Sequence, residues 1–247
     1  MTDTTQQQCR VCHKPFNAYP LGEKNGYALE ACRACGSVLV NPEVTDAQRE
    51  EFFGIVEPKI THVPNHRTEI ERLKKMILKI EPQPQGKTFL DVGSQYGYAV
   101  TAAKELGMKA HGIEKHDHFI EFLHEKYENG KETFQHIRLQ DYAATNPPKY
   151  DFIYSTENFG METQPESFAQ AIADLLAPNG KVYIHEPDGN HFNLPRQFVN
   201  WEIAYPPINF VYYSKRGMAA LLARHGLAIR HKYFTWLPFM RLYVTKK

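Results

Sequence analysis

The chain has 247 residues, with 29 Lys and Arg against 28 Asp and Glu, so its formal net charge at pH 7 is +1. A nearly neutral chain without a polybasic run disfavours nucleic acid as a partner, although it leaves that partner open, because phosphate binding needs concentrated positive charge. No stretch approaches the roughly 20 apolar residues of a membrane-spanning helix, so no membrane partner is expected. The length suits one domain of about 180 residues and a small appendage.

All four cysteines lie near the amino terminus, in two pairs with CxxC spacing: Cys9 with Cys12, and Cys32 with Cys35. Two such pairs can converge on a tetrahedral zinc ion, and no cysteine is left over. Disulfides are the alternative, but no apolar signal sequence is recognisable, and a reducing, cytoplasmic compartment is expected. His13 is a weaker ligand candidate because four thiolates already satisfy the ion. We therefore predict a structural zinc site in a segment too small to bury a core of its own.

A helix is predicted over 65–80, where apolar residues recur at helical spacing: Ile70, Leu73, Ile77 and Ile80. The stretch EPQPQG at 81–86 is typical of a linker. The predicted organisation has three parts, which are a zinc-binding module at 1–42, a helical connector or lid at 43–86, and the main domain at 87–247.

The main domain opens with the sequence FLDVGSQYG at 89–97. It reads as a short buried strand, a turn with two spaced glycines, and the start of a helix whose first amides are unpaired. A second strand at 109–114 ends at Glu114, about 20 residues further on, where a ribose would be bound. An ordinary αβ connection also uses glycine, but the two strand ends together predict a nucleotide-sized binding site.

Further strands are predicted at 134–139, 150–155 and 181–184, separated by helices such as 165–176. The carboxyl-terminal part reads as a helix at 215–224 followed by strands at 227–236 and 239–245. This alternation predicts an α/β fold with a doubly wound, mostly parallel sheet.

The motifs in this order resemble the class I S-adenosylmethionine-dependent methyltransferases over about 65–247. The resemblance rests on LDVGSQYG at 90–97, Glu114, Asp141, YDFI at 150–153 and LLAPNGK at 175–181. It implies a seven-stranded Rossmann-like sheet with a C-terminal antiparallel hairpin, and S-adenosylmethionine as the cofactor. Amino-terminal zinc-ribbon-like cysteine modules occur in several bacterial methyltransferases of this broad type.

The resemblance also implies which residues meet the cofactor. Asp91 and the two glycines would surround its methionine part, Glu114 its ribose, and Asp141 with Tyr142 its adenine. The expected cofactor-binding set is Asp91, Gly93, Ser94, Gln95, Gly97, Glu114, Asp141, Tyr142 and Ser155. Gln95 departs from the usual pattern, since it stands at the middle glycine of the common GxGxG turn. Its side chain must point away from the cofactor or replace a water molecule.

The methyl acceptor is harder to predict because two histidines that relatives carry are replaced, one by the Gly160–Met161 region and one by Asn209. Methyl transfer is an in-line displacement, and a general base is needed only if the acceptor must lose a proton. The candidate catalytic residues after the fourth and fifth strands are Glu157, Glu186, Asp188 and His191. Each has an alternative interpretation as a polar loop residue without a catalytic role.

These features predict an S-adenosylmethionine-dependent methyltransferase that acts on a small polar metabolite, such as a sugar or a sugar-derived compound. The alternatives are an RNA or protein methyltransferase, or a methyltransferase-fold protein that binds without catalysis. A nicotinamide-dependent oxidoreductase is disfavoured by Asp91 ahead of the glycines and by the final pair of strands.

Overall fold

The computed structural model describes residues 7–48, 51 and 66–247. The predicted connector at 43–86 therefore lies partly outside the described residues. None of the helices in the described ranges has the length and apolar character needed to cross a membrane.

The main sheet has seven strands in the order β10-β11-β8-β7-β4-β5-β6. Its members are β4 (Thr88–Val92), β5 (Lys109–Glu114), β6 (Phe134–His136), β7 (Tyr150–Thr156), β8 (Leu176–Pro187), β10 (Leu227–Tyr233) and β11 (Phe239–Lys246). Strands β4 to β8 pair in parallel, whereas β11 runs antiparallel to both β8 and β10. The predicted doubly wound sheet with a C-terminal hairpin is confirmed. Because the parallel strands all end at one edge of the sheet, their following loops meet there.

Seven α-helices lie within residues 66–247. They are α1 (His66–Ile80), α2 (Tyr98–Glu105), α3 (Asp117–Lys126), α4 (Gly130–Thr133), α5 (Leu139–Ala144), α6 (Pro165–Leu175) and α7 (Lys215–Arg224). Helix α1 buries the predicted stripe Ile70, Leu73, Ile77 and Ile80. This stripe packs in one core cluster with Phe89 and the side chains of α2.

A second, four-stranded sheet contains most of the amino-terminal module. Its strands are β1 (Ala18–Lys24), β2 (Tyr27–Cys32), β3 (Val38–Asn41) and β9 (Val211–Tyr212), in the order β1-β2-β3-β9. The fourth strand comes from the far end of the chain, and Val38 pairs with Tyr212. Cys9, Val38, Tyr212 and Leu222 belong to one buried cluster. Packing is thus continuous across residue 42, where a domain boundary was predicted.

Three predicted strands differ from the observed ones by more than one residue at an end. The strand predicted at 134–139 ends at His136 because Leu139 begins α5. The strand predicted at 181–184 extends over Leu176–Pro187, since it pairs with β7 on one side and with β11 on the other. The LAPNG segment is accommodated there by a register shift against β7 between Tyr150 and Phe152. Finally, β10 ends at Tyr233 and not at Trp236.

Ser214 joins the amino-terminal module to α7. Its hydroxyl accepts a hydrogen bond from the Gly217 amide at 2.9 Å, which caps the helix, and donates to the carbonyl of Cys35 at 2.5 Å. Its own amide donates to the Ser37 hydroxyl at 3.0 Å. A Cβ atom on Gly217 would lie 2.1 Å from that hydroxyl, so only glycine allows this approach.

We expect Ser214→Ala to lower the free energy of unfolding by about 1–2 kcal/mol, because it removes a helix cap and leaves the buried Cys35 carbonyl without its donor. Urea unfolding followed by circular dichroism measures this change. The control is Ser167→Ala, whose exposed hydroxyl bonds only to Gln164, and we expect a change below about 0.5 kcal/mol. Equal stability of the two variants would contradict the assigned role of Ser214.

Candidate functional site

The turn after β4 is a tight connection with three left-handed residues, Gly93 (φ 73°), Gln95 (φ 46°) and Gly97 (φ 74°). A Cβ atom on Gly93 would lie 2.7 Å from the side-chain oxygen of Asn158. On Gly97 it would lie 2.8 Å from Leu123 and from Tyr127. Gly93 therefore allows the turn to approach the loop after β7, whereas Gly97 allows α2 to pack against α3.

A first cavity of about 250 Å³ lies at the carboxyl ends of β4 and β5. Polar side chains on its wall include Gln95, Glu114, Arg138, Glu157 and Asn158. Its apolar wall includes Ile113, Phe119, Ile137, Leu139, Met161 and Phe168. The cavity therefore combines an apolar slot with a few polar groups, which is the usual composition of a small-molecule site.

Glu114 is held rigidly at the wall of the first cavity. Its carboxylate is buried and accepts hydrogen bonds from the amides of Gln95 (2.9 Å), Lys115 (2.8 Å) and His116 (3.0 Å). These bonds tie the end of β5 to the turn after β4. A carboxylate has about four lone-pair sites, so with three of them occupied it can still accept one hydrogen bond from a ligand hydroxyl.

A second cavity of about 230 Å³ lies on the other side of the turn. Asp91, Ser94, Tyr154, Thr156 and His185 line it, together with Glu69 and Arg72 of α1. Asp91 is 2% exposed. Burial, and to a smaller extent the nearby Glu114, raises the pKa of Asp91 to about 7, against a hydrogen bond from Ser94.

Gln95 and Glu157 line both cavities, as does Gly93. Both cavities retain volume beside Gln95, so its side chain does not fill the turn. Glu157 is solvent-exposed and has a left-handed backbone (φ 57°). The surrounding protein still partly desolvates its carboxyl group, and this desolvation raises the pKa of Glu157.

Four predicted cofactor residues line neither of these two cavities: Gly97, Asp141, Tyr142 and Ser155. Asp141 is exposed on α5, and Tyr142 is buried with its hydroxyl 2.5 Å from that of Tyr150. Because β6 ends early, the chain lines the first cavity with Ile137, Arg138 and Leu139 instead. Ser155 is fully buried, and its hydroxyl accepts a hydrogen bond from the Asn158 side chain at 3.2 Å.

Glu157 is the one member of the four catalytic candidates that lines either cavity. Glu186 is buried and accepts hydrogen bonds from the amides of Asn158 (2.8 Å), Phe159 (3.0 Å) and Gly160 (3.3 Å). Burial raises the pKa of Glu186 to about 8, although the three amides favour its charged form. Its contacts shape the loop after β7.

The other two candidates also make contacts within the protein. Asp188 pairs with Lys215 at 3.0 Å and accepts from the amide of Asn190. His191 is buried, and its two ring nitrogens bond to the Thr235 carbonyl (3.2 Å) and the Asn193 amide (3.1 Å). Both residues thus lie in the loop that follows β8, where their side chains bond to other parts of the protein.

The site residues that were not among the sequence candidates include Asn158 and His185. The Asn158 side-chain amide donates to the carbonyls of Val92 (2.9 Å) and Thr156 (3.0 Å), so it joins the loop after β7 to the turn after β4. His185 is near the end of β8 and faces the second cavity. The available signal was position alone, since both residues lie at or just beyond the carboxyl ends of predicted strands.

The four cysteines converge as predicted. The sulfur atoms of Cys9, Cys12, Cys32 and Cys35 all lie within 4.8 Å of one another, and those of Cys9 and Cys35 are 4.0 Å apart. Tetrahedral zinc with Zn–S bonds of about 2.3 Å requires sulfurs ~3.8 Å apart, so the cluster fits this ion. His13 instead lies 3.1 Å from a carboxylate oxygen of Glu166.

Comparison with known proteins then identifies the family. The profile of the methyltransferase domain family matches residues 65–232. The chain belongs to this family. Membership confirms the resemblance found in the sequence.

The chain is also similar to ubiquinone biosynthesis O-methyltransferases, with 32% identity over 101 residues to that of Thiobacillus denitrificans and 28% over 101 residues to that of Aeromonas salmonicida. These matches cover 40% of this chain, and 43% and 42% of the two relatives, so the chain spans less than half of their length.

Solved methyltransferases share the fold at low sequence identity. The magnesium protoporphyrin IX methyltransferase of Synechocystis, solved with bound S-adenosylmethionine, matches with a TM-score of 0.57 and 12% identity over 84% of this chain and 100% of that one. The 1,6-didemethyltoxoflavin-N1-methyltransferase of Burkholderia thailandensis matches with a TM-score of 0.59 and 10% identity over 93% of this chain and 100% of that one.

We expect the protein purified without chelator to contain one zinc ion per chain, and Cys32→Ser to lose it, because removing one thiolate opens a closed four-ligand shell. Elemental analysis by plasma mass spectrometry measures the ratio of zinc to protein. His13→Ala is the control and should keep its zinc. A metal-free wild-type protein would contradict the assignment.

Proposed function

We propose that this protein transfers a methyl group from S-adenosylmethionine to a small polar metabolite. The observation that carries the proposal is the pair of cavities on either side of one glycine turn, with Asp91 lining one and Glu114 lining the other. Asp91 suits the cationic ammonium group of the cofactor, and Glu114 suits its ribose.

The first cavity suits the adenosine part. Glu114 would accept a hydrogen bond from a ribose hydroxyl, and its three amide contacts keep its oxygens in place. Ile137 and Leu139 offer apolar surface to the adenine ring. Asp141 and Tyr142, which the resemblance assigned to adenine, have no part in this proposal because they lie outside the cavity.

The second cavity suits the methionine part. Ionised Asp91 would pair with the cofactor ammonium group, and Ser94 lines the same wall. Arg72 also lines this cavity and would be near the cofactor carboxylate. Helix α1, which carries Arg72, would thereby cover the site as the predicted connector was expected to do.

The bound cofactor would supply an electrophilic methyl group. Gln95 and Glu157 line both cavities, so they lie where its two parts would join. Alignment of the acceptor there lowers much of the barrier to in-line displacement. Glu157, with its raised pKa, is placed to receive a proton from a hydroxyl acceptor.

The acceptor we propose is a small metabolite that is methylated on oxygen. The ubiquinone biosynthesis O-methyltransferases are named for that atom, and their matched segment is less than half of each relative. Sugars and sugar-derived compounds are the first class to test. Zinc would be structural, because a closed four-thiolate shell leaves no position for a substrate. A reducing compartment such as the cytoplasm would keep these thiols available.

We expect Asp91→Asn to weaken binding of S-adenosylhomocysteine at least tenfold, because the amide keeps the shape of the carboxyl group but cannot pair with the ammonium group. Isothermal titration calorimetry measures the dissociation constant. Asp141→Asn serves as the control and should bind as the wild type does. An unchanged affinity in Asp91→Asn would refute the assigned pocket.

The raised pKa of Asp91 makes a second, pH-dependent prediction. Below about pH 7 the carboxyl group is mostly protonated and cannot pair with the ammonium group, so affinity should fall roughly five- to tenfold from pH ~7.5 to pH ~6. The same shift means that the native state binds the extra proton, so the contribution of Asp91 to folding stability falls as pH rises from about 4 to about 7.

The same titrations at both pH values measure the effect on affinity. The Asp91→Asn variant should show a flatter profile than the wild type. A wild-type affinity that does not change with pH would contradict the assigned partner of the ammonium group.

A further inference from the structure

A row of polar side chains leads away from the second cavity along the carboxyl edge of the sheet. Thr156 of β7 is paired with His185 of β8, which is paired in turn with Arg241 of β11. Residues directly opposite on neighbouring strands share one face of a sheet and lie about 5 Å apart. Arg241 is thus about two strand spacings, or ~10 Å, from Thr156.

Two atoms in this row are buried without a hydrogen-bond partner among the described residues, the Nε2 atom of His185 and the Nε atom of Arg241. Buried polar side-chain atoms in native proteins are nearly always paired. The orphaned atoms belong to neighbouring side chains, one of which lines the second cavity and the other an adjacent groove. A ligand that reaches both side chains would satisfy both atoms.

The adjacent groove, which we call the arginine groove, has a volume of about 320 Å³. It lies between α1 and the strands β8, β10 and β11. Four cations line it, and so do two tyrosines: Arg72, Lys75, Lys79, Arg241, Tyr183 and Tyr233. No acidic side chain of the described residues lines it.

Arg72 lines both the second cavity and the arginine groove, so the two are neighbours. Its guanidinium group is held by Glu69, with one contact at 2.8 Å. That pairing offsets the charge of Arg72 in part, whereas the Nε atom of Arg241 has no such partner. The groove therefore has an excess of positive charge, to which Arg241 contributes together with Lys75 and Lys79.

We propose that the methyl acceptor is a small hydroxylated anion, with its carboxylate or phosphate group bound to Arg241 in the arginine groove and its reacting hydroxyl hydrogen-bonded to Nε2 of His185. This inference rests on the proposed function and specifies its substrate class. The spacing in the sheet sets the separation between the hydroxyl and the anionic group at about 5–10 Å.

For an acceptor bound in this way, His185 and not Glu157 would act as the general base. As the acceptor oxygen bonds to the methyl carbon, its proton passes to Nε2 of His185, and the electrons of the breaking carbon–sulfur bond stay on sulfur as a neutral thioether. The products are the methyl ether, the thioether and an imidazolium, which releases its proton to water. The anionic group of the acceptor would stabilise that imidazolium.

The surroundings of His185 keep its imidazole neutral, which is the form that can accept a proton. Burial, Arg241 and Arg72 lower the pKa of His185 to about 4, so the imidazole is neutral at pH 7. The other charged or titratable groups on the cavity wall are three acids, Glu69 from α1, Asp91 from β4 and Glu157 after β7, and three tyrosines, Tyr96, Tyr98 and Tyr154. An anion bound beside Arg241 would reduce the positive field and raise the pKa of His185.

Inorganic phosphate is the first probe, with sodium sulfate as a second anion. Calorimetry should detect binding to the wild type in the millimolar range, at least tenfold weaker binding to Arg241→Gln, and wild-type binding to Arg230→Gln. Arg230 is the matched control because it lies on β10 with its guanidinium bonded to Thr245, and it does not line the groove. Absence of phosphate binding up to about 50 mM, or equal binding by Arg241→Gln, would overturn the proposal.

NMR of ¹⁵N-histidine-labelled protein gives the second readout. The NMR signal of His185 is assigned by its absence from the spectrum of His185→Gln. The pKa of His185 should rise by at least one unit with saturating phosphate in the wild type but not in Arg241→Gln. An anion bound elsewhere would leave it unchanged, which would count against the proposal.

Calorimetry with S-adenosylhomocysteine keeps this test separate from that of the proposed function. Arg241→Gln should bind it with the affinity of the wild type, since Arg241 does not line the second cavity. If the wild type failed to bind it, the proposed function would fall, while the phosphate measurements would still decide the anion site.

The source of the anionic group is distinguished with labelled cofactor. Gluconate carries a carboxylate and glucose 6-phosphate carries a phosphate ester, whereas glucose carries no anionic group. In a metabolite extract, the labelled product should bind an anion exchanger at neutral pH. If none of the labelled products bound the anion exchanger, the inference of an anionic acceptor would be contradicted, but the methyltransferase proposal would not.

Discussion

The organisation of the site depends on one set of hydrogen bonds, those that the Glu114 carboxylate accepts from three backbone amides. One of these amides belongs to Gln95, in the turn after the neighbouring strand, and it has a left-handed backbone that a side chain adopts only at some cost. Pairing a buried carboxylate with these amides compensates both its desolvation and the strained turn. With the turn held in this way, a cavity remains open on each side of it.

The loop after β7 is held by a second buried carboxylate. Glu186 accepts from the amides of residues 158–160, and Asn158 in turn bonds to the carbonyl of Val92 at the end of β4. Two strand ends and one loop are therefore fixed relative to each other by hydrogen bonds of a buried carboxylate and a buried side-chain amide. Glu186, which the sequence offered as a catalytic candidate, therefore has a structural role. The exposed Glu157 lies where the two cavities meet.

The cysteine cluster stabilises more than its own segment. Strand β3 pairs with β9, Ser214 bonds to the carbonyl of Cys35, and the cysteines belong to the same buried cluster as α7. Because about 40 residues cannot bury a sufficient core, the amino-terminal strands depend on both the cysteine cluster and their contacts with the main domain. If the cluster binds zinc, as we propose, loss of the ion would affect the packing of α7.

The sequence by itself determined the parallel sheet, the hairpin, the cysteine cluster and the turn at 93–97, because each follows from local periodicity, glycine conformation or ligand spacing. It also located β5 and its final Glu114 at the correct residues. Only the tertiary structure decided which polar side chains line the cavities. Asp141, Glu186, Asp188 and His191 each follow a strand as the pattern requires, yet exposure or contacts with distant residues keep them from the two cavities. His185 and Arg241 lie next to each other because two strands 56 residues apart in the chain pair in register, and such long-range pairing leaves no trace in local sequence.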